Sequence, residues 1–154
     1  MGKISSRNLD SPIGVLGLMA RDGFIVRIVF GGVEETKAQD PVLDAAEIQL
    51  NEYFAGARRE FEIPIRPEGT PFQQKVWRAL MEIPYGDTRA YSEIAAAVGS
   101  PRAARAVGMA NHLNPIPVVV PCHRVVGKDG ALTGYAGGLE MKAALLELER
   151  NNCK

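Results

Sequence analysis

Cys122 and His123 are neighbours in the run Val-Val-Val-Pro-Cys-His-Arg-Val-Val that spans Val118 to Val126. A thiol beside an imidazole is a starting point for nucleophilic sulfur chemistry, because the thiolate is the attacking species and an adjacent base governs its formation. Glu149 follows Leu145 by four residues and Leu146 by three. On a helix that spacing carries its carboxylate toward the apolar face, where an unpaired charge is costly and a histidine is a fitting partner. Asn114 stands where a helix gives way to the apolar run, so a nucleophile, a base and orienting groups are all in reach of one short stretch. The same parts would serve a cysteine hydrolase, and a Cys-His pair can also be a core cysteine beside a satisfied histidine.

The elements around these residues separate the readings. Val118 to Val120 is β-branched and apolar and predicts a short buried strand, which Pro121 ends because it lacks an N–H for the ladder. Upstream, Ile13–Ala20 and Phe24–Phe30 are apolar runs joined by Arg21-Asp22-Gly23, the turn chemistry of an antiparallel hairpin. Leu43, Ala46, Leu50, Tyr53 and Phe54 line one face of a helix predicted over Pro41–Ala55. Glu60 to Ile65 alternates charged and apolar residues and predicts a third strand near a sheet edge. Pro67-Glu68-Gly69 breaks the pattern and divides the chain into lobes 1–67 and 68–154.

In the second lobe, Thr70-Pro71 opens a helix with Phe72, Val76, Ala79, Leu80 and Ile83 facing inward. A short helix over Tyr91–Val98 closes at Gly99, and Ser100-Pro101 starts another that runs to about Leu113, the outline of a helix-turn-helix. No acidic residue falls between Glu93 and Asp129, whereas Arg102, Arg105, Arg124 and Lys128 do, so positive potential gathers there as phosphate contacts require. Arg102 and Arg105, three apart, would share a helical face. Asn114-Pro115-Ile116-Pro117 is a short connection, which keeps the thiol close to the second helix of the pair. Arg124–Val126 and Ala131–Thr133 flank a Gly-Lys-Asp-Gly turn and predict a small hairpin or wing. Gly134–Gly138 is a flexible loop whose Tyr135 suits a pocket wall, and a last helix covers Leu139–Arg150.

Composition narrows the function classes. The chain has 154 residues, of which 46% are hydrophobic, enough for a real core. Eighteen basic and eighteen acidic residues cancel, so nucleic-acid binding must come from a local patch rather than from net charge. Two cysteines without a Cys-x-x-Cys pair, and two histidines, provide no zinc ligand set, so no metal is expected. Without a secretion signal or membrane-length apolar run, the expected location is the cytoplasm, or the nucleus in a eukaryote.

From about Pro71 to Glu149 the chain resembles the O6-alkylguanine-DNA alkyltransferases. The resemblance rests on Ala-Arg-Ala-Val-Gly at 104–108, Asn-Pro-Ile-Pro before Pro-Cys-His-Arg-Val-Val, Gly-Tyr-Ala-Gly-Gly-Leu, and Leu-Leu-Glu-Leu-Glu. It implies an α+β fold: a small N-terminal sheet lobe with one helix, then a mostly helical, winged helix-turn-helix-like lobe that binds DNA and carries the catalysis. It further implies a cofactor-free, single-use transfer of an alkyl group from O6 of guanine, with O4 of thymine as a second candidate, to Cys122. His123 would be the base acting through a water, Glu149 its orienting carboxylate, and Asn114 the brace of the turn. A monomer would bind the minor groove of double-stranded DNA, flip the damaged nucleotide and fill the gap with Arg105, Tyr91 crowding the target. Tyr135 and the carbonyls of Cys122 and Val125 would line the pocket. Ala136 stands where some relatives carry serine, so a hydrogen bond to the guanine oxygen there must come from a backbone N–H. The network is expected to lower the pKa of Cys122. A lesion-binding relative without acceptor chemistry and a winged-helix regulator are the alternatives, the first disfavoured by the thiol itself.

Overall fold

The computed structural model describes residues 2–37 and 39–153; Met1, Ala38 and Lys154 lie outside the described residues. The fold is α+β, and the chain divides into two compact units, the first ending at Glu68 and the second beginning at Gly69.

The first unit is a three-stranded antiparallel sheet in the order β1 (Ser5–Ser11), β2 (Gly14–Arg21), β3 (Phe24–Phe30), covered by α1 (Pro41–Phe54). Asp22 and Gly23 both adopt positive φ (54° and 82°), the two-residue turn geometry that matches strand twist. The register slips between Met19 and Ala20, which leaves Val26 as an extra residue and brings both Ile25 and Ile28 to the buried face despite their odd spacing. Leu43, Ala46, Leu50 and Tyr53 of α1 are buried, and Asp40 caps the helix by accepting from the Val42 N–H at 3.0 Å. The polar Ser5–Ser11 strand, absent from the sequence reading, is recruited by β2, along which it pairs residue for residue.

Glu60–Ile65 is not a strand. Its pairing shrinks to a single parallel bridge between Ile65 and Ile25, with Ile25 N–H donating to the Pro64 carbonyl at 2.9 Å. Pro64 has no N–H, and Glu62 N–H donates to the Gln49 side chain instead, so no ladder can form.

In the second unit α2 (Pro71–Met81) begins with a capping box between Thr70 and Gln73. Then come β4 (Arg89–Ala90), α3 (Tyr91–Ala97), α4 (Ala104–His112), β5 (Val125–Val126) and α5 (Leu139–Asn152). Trp77 Nε1–H donates to the Ala110 carbonyl at 2.9 Å and ties α2 to α4 inside the core. Three sequence expectations change here. α4 starts at Ala104, not at Ser100-Pro101, so Arg102 lies in the turn before it and does not share a helical face with Arg105. β5 pairs in parallel with β4, and the segment 131–133 forms no wing; Gly127 N–H reaches the Ala131 carbonyl across a single turn of 3-10 helix.

Val118–Val120 is buried but is not a strand either. Val118 has φ of 74°, and Val120 N–H turns back to the Ile116 carbonyl at 2.9 Å. Asn114 causes this coil: its Nδ2 donates to the Val120 carbonyl at 2.8 Å and its Oδ1 accepts from Ile116 N–H at 3.0 Å, taking the groups a ladder would use.

Candidate active site

The coil around Asn114 delivers Cys122 into a turn of 3-10 helix, Cys122–Arg124, whose three side chains are all buried. His123 is fully buried and its Nε2 lies 2.7 Å from Glu149 Oε2. The carboxylate assigns the ring proton to Nε2, so Nδ1 carries the lone pair that can accept a proton. Nδ1 is buried and has no protein hydrogen-bond partner. Glu149 projects from the inward face of α5 beside Leu145 and Leu146, as its spacing predicts.

Arg124 does not face solvent or a phosphate. Its Nε donates to Glu149 Oε1 at 2.8 Å, its Nη2 to Oε2 at 3.0 Å and its Nη1 to the Ile83 carbonyl at 2.7 Å, with only 6% of the residue exposed. This placement differs from the exposed position a phosphate contact would need, and its cause is the buried carboxylate: a guanidinium fork matches two carboxylate oxygens better than water does. Burial raises the Glu149 carboxyl, but the hydrogen bonds and charges of His123 and Arg124 outweigh it and hold the group down at about 2. Gly86 N–H adds a longer bond to Oε1, 3.3 Å.

The thiol also departs from expectation. Burial pushes Cys122 up to about 11, against smaller opposing effects of an Asn114 hydrogen bond, the Lys142 charge and backbone N–H groups. Burial likewise lowers His123, more than the Glu149 hydrogen bond and charge raise it. The resting pair is therefore a neutral thiol beside a neutral imidazole, and the expected lowered thiol pKa is not what this geometry produces.

Two site residues escaped the sequence reading. Lys142 of α5 is fully buried, and its Nζ donates to the Thr133 carbonyl at 2.6 Å. Burial lowers it to about 8, while the Cys122 charge acts in the opposite sense. Its spacing of four to Leu146 and seven to Glu149 places it on the same inward face, a signal legible in the sequence. Asn111, four residues after the buried Val107, donates from Nδ2 to the Cys122 carbonyl at 3.3 Å. That carbonyl also accepts from Val125 N–H, so both its lone pairs are engaged.

The other expected residues occupy varied settings. Tyr91 begins α3; its hydroxyl accepts from Thr133 Oγ1 at 3.0 Å, and Thr133 is thus bonded to both Tyr91 and Lys142. Tyr135 is buried, and burial, with the charges of Cys122 and Glu149, raises its hydroxyl well above the ordinary value, so it stays protonated. Val125 is buried in β5, Ala136 is exposed in the following loop, and Arg102 and Arg105 are exposed. Cys153 is exposed at the end of α5, its Sγ 3.8 Å from the Tyr85 carbonyl.

Asn114→Ala would strand a buried Ile116 N–H and free the coil. We expect a stability loss of ~2 kcal/mol in urea denaturation, together with slower alkylation of Cys122 by a small haloacetamide, since the amide's assistance to the thiolate is lost.

Known proteins resemble the chain over most of its length. Residues 71–151 match the model of the 6-O-methylguanine DNA methyltransferase DNA binding domain, and residues 6–67 match that family's ribonuclease-like domain. The chain is 49% identical over 156 residues to a constitutive methylated-DNA–protein-cysteine methyltransferase of Bacillus subtilis, covering 94% of each chain. It is similar to the crystal structure of the O6-methylguanine methyltransferase of Mycobacterium tuberculosis, with TM-score 0.89 and 46% identity over 97% of this chain and 94% of that one. The structure of that organism's OGT in complex with DNA matches with TM-score 0.88 and 46% identity, covering 96% of this chain and 94% of its own.

Proposed function

Given that the chain belongs to the 6-O-methylguanine DNA methyltransferase family, we propose that it repairs DNA by moving an alkyl group from O6 of guanine onto its own Cys122. The observation that carries the reading is the buried contact of His123 with Glu149 directly after Cys122, with Nδ1 left as the proton-accepting atom.

The Cys122 S–H proton passes, through a bridging water, to Nδ1 of His123. The sulfur attacks the alkyl carbon, the carbon–oxygen bond breaks, and its electron pair stays with the guanine. The imidazolium then gives up its proton and the guanine anion takes one up at N1, so His123 returns to neutrality and no further reactant is needed. A thioether remains, which water does not cleave, so each chain acts once. Burial of Cys122 supports this order: a thiol held near 11 reacts only slowly with bulk electrophiles until the base and its alkyl group fill the site. Asn114 fixes the coil that aims the sulfur, and the charge of Lys142 eases formation of the thiolate.

Double-stranded DNA is the partner, bound by a single copy of the chain through α4 in the minor groove. Arg105 is exposed on the first turn of α4 and free to enter the stack vacated by the flipped base. Arg102 contacts phosphate, and Tyr91 at the start of α3 crowds the extruded nucleotide. Tyr135, Val125 and the Ala136 N–H wall the pocket. The Cys122 carbonyl must exchange its Asn111 bond before it can accept from a guanine amine.

Incubation of the chain with duplex DNA carrying radiolabelled O6-methylguanine tests the reading. We expect one label per chain in a single burst; label that remains on the DNA overturns it. In Arg105→Ala, transfer from duplex DNA should slow about a hundredfold, since holding a base out of the stack costs a few kcal/mol. Transfer from free O6-benzylguanine, which needs no flipping, should be unchanged in single-turnover assays.

A further inference from the structure

The fork of Arg124 does something that pairing alone does not explain. A buried carboxylate favours the protonated form of a histidine partner, and an imidazolium cannot take a proton from a thiol. In this site Glu149 is instead shared. Both of its oxygens accept from Arg124, at 2.8 and 3.0 Å, while His123 keeps a 2.7 Å contact with Oε2 alone. The third arm of the guanidinium, Nη1, is anchored on the Ile83 carbonyl at 2.7 Å, and the Tyr85 ring lies 5.6 Å from its Cζ. A fork pinned in this way cannot swing out to the surface.

Resting on the alkyl-transfer reading above, we propose that Arg124 is a positioning residue of the reaction: it neutralises Glu149 so that the carboxylate orients His123 while leaving the ring a neutral base. The charge count of the buried cluster supports this. Arg124 and Glu149 cancel, His123 is neutral, and the cluster gains a positive charge only when His123 takes the proton that creates the thiolate beside it. The acceptor site then stays balanced through the step. The other groups that face the ring act in the same direction or weakly. Burial opposes a proton on His123 most strongly, Glu149 favours it, and the charges of Arg124 and of Lys142 from α5 oppose it. From the segment after α2, Gly86 supplies a neutral N–H to Glu149 and Ile83 a carbonyl to Arg124; Asn111 of α4 is uncharged and bonds Cys122.

The test uses the full chain as wild type, Arg124→Met and Arg124→Lys, with single-turnover transfer from O6-methylguanine duplex measured across pH 5–9 and the His123 ring followed by NMR. In Arg124→Met the acidic limb of the rate profile should move up by ~1–3 pH units, as the loss of a contact charge dictates. The rate at pH 7 should fall about tenfold or more and recover toward pH 9, with affinity for the methylated duplex unchanged. Arg124→Lys keeps a point charge without the fork, so its limb should lie between the two. A uniform loss of rate with no shift of the limb would reduce Arg124 to a structural strut and overturn the proposal. So would weakened DNA binding with normal transfer per bound complex, which would make Arg124 a phosphate contact. Should Arg124→Met fail to fold, wild type and Arg124→Lys still decide: a wild-type His123 ring already protonated at pH 7, or equal His123 titrations in the two chains, overturns it. A wild-type chain that transfers no label would instead overturn the alkyl-transfer reading, and the His123 titrations would remain readable.

Discussion

Cys122→Ser should bind methylated duplex DNA as the wild-type chain does and transfer nothing. The substitution replaces sulfur by oxygen in a site that is 4% exposed and whose coil is fixed by Asn114 rather than by the thiol, so the fold and the DNA-facing α4 have no reason to change. What is lost is nucleophilicity. A serine hydroxyl is a far weaker acid than a thiol, and in a site that raises even the thiol to about 11 the imidazole cannot ionise it. The measurement is intact mass after incubation with O6-methylguanine duplex, alongside a gel-shift titration. Wild type should gain a single methyl, mapped to Cys122 by peptide digestion, while the serine chain gains none at equal affinity. Cys153 is an internal control: it is exposed at the end of α5, and a methyl found there would show that access, not the buried network, selects the acceptor.

Glu149→Gln is the second large effect. The single amide oxygen cannot serve all four N–H groups, from His123, Arg124 and Gly86, that converge on the carboxylate. If its oxygen keeps Arg124, its NH₂ faces His123 and favours the tautomer with the lone pair on Nε2, which moves the ring proton to Nδ1 and removes the base from the thiol's side. Single-turnover transfer should slow by roughly 10²–10⁴. Breaking a buried pair at one end also leaves the Arg124 charge uncompensated, with a stability loss of ~3–5 kcal/mol at pH 7. The pH dependence has a definite sign. The folded-state carboxyl of Glu149 is depressed to about 2 from an ordinary 4.5, so its contribution is fully present above about 4.5 and is lost as pH falls toward 2. In urea denaturation the gap between wild type and Glu149→Gln should be widest at neutral pH and shrink on acidification to pH 3. A gap that stayed constant would mean that the carboxylate's charge contributes nothing to stability.

Helix spacing alone foretold the inward position of Glu149, because a residue three and four places from two leucines has no choice of face once the helix forms. The same rule, applied to Lys142, would have found it; a lysine is ordinarily assumed to reach water, and here its ammonium is satisfied by the Thr133 carbonyl instead. The hairpin at Asp22-Gly23 was legible because its two positive φ angles need those residue types. β1 was not legible, since Ser5–Ser11 has no apolar alternation of its own and becomes a strand only by pairing with β2.

What the sequence by itself determined was local and compositional: the Cys-His adjacency, the pair of short helices ahead of it, the inward carboxylate, and an ordered set of motifs specific enough to identify the family. What the tertiary structure decided was which partner each polar group meets. Val118–Val120 has the composition of a strand, yet Asn114 claims its backbone groups and winds it into the coil that presents the thiol. Arg124 has the chemistry of a phosphate contact, yet a carboxylate 25 residues away holds it inside. The thiol's neighbours promise an acidic cysteine, yet burial outweighs them. In each case the residue type fixes what a group can bond to, while solvent exclusion and the arrival of distant chain fix what it does bond to. Those two terms exist only once the chain has packed.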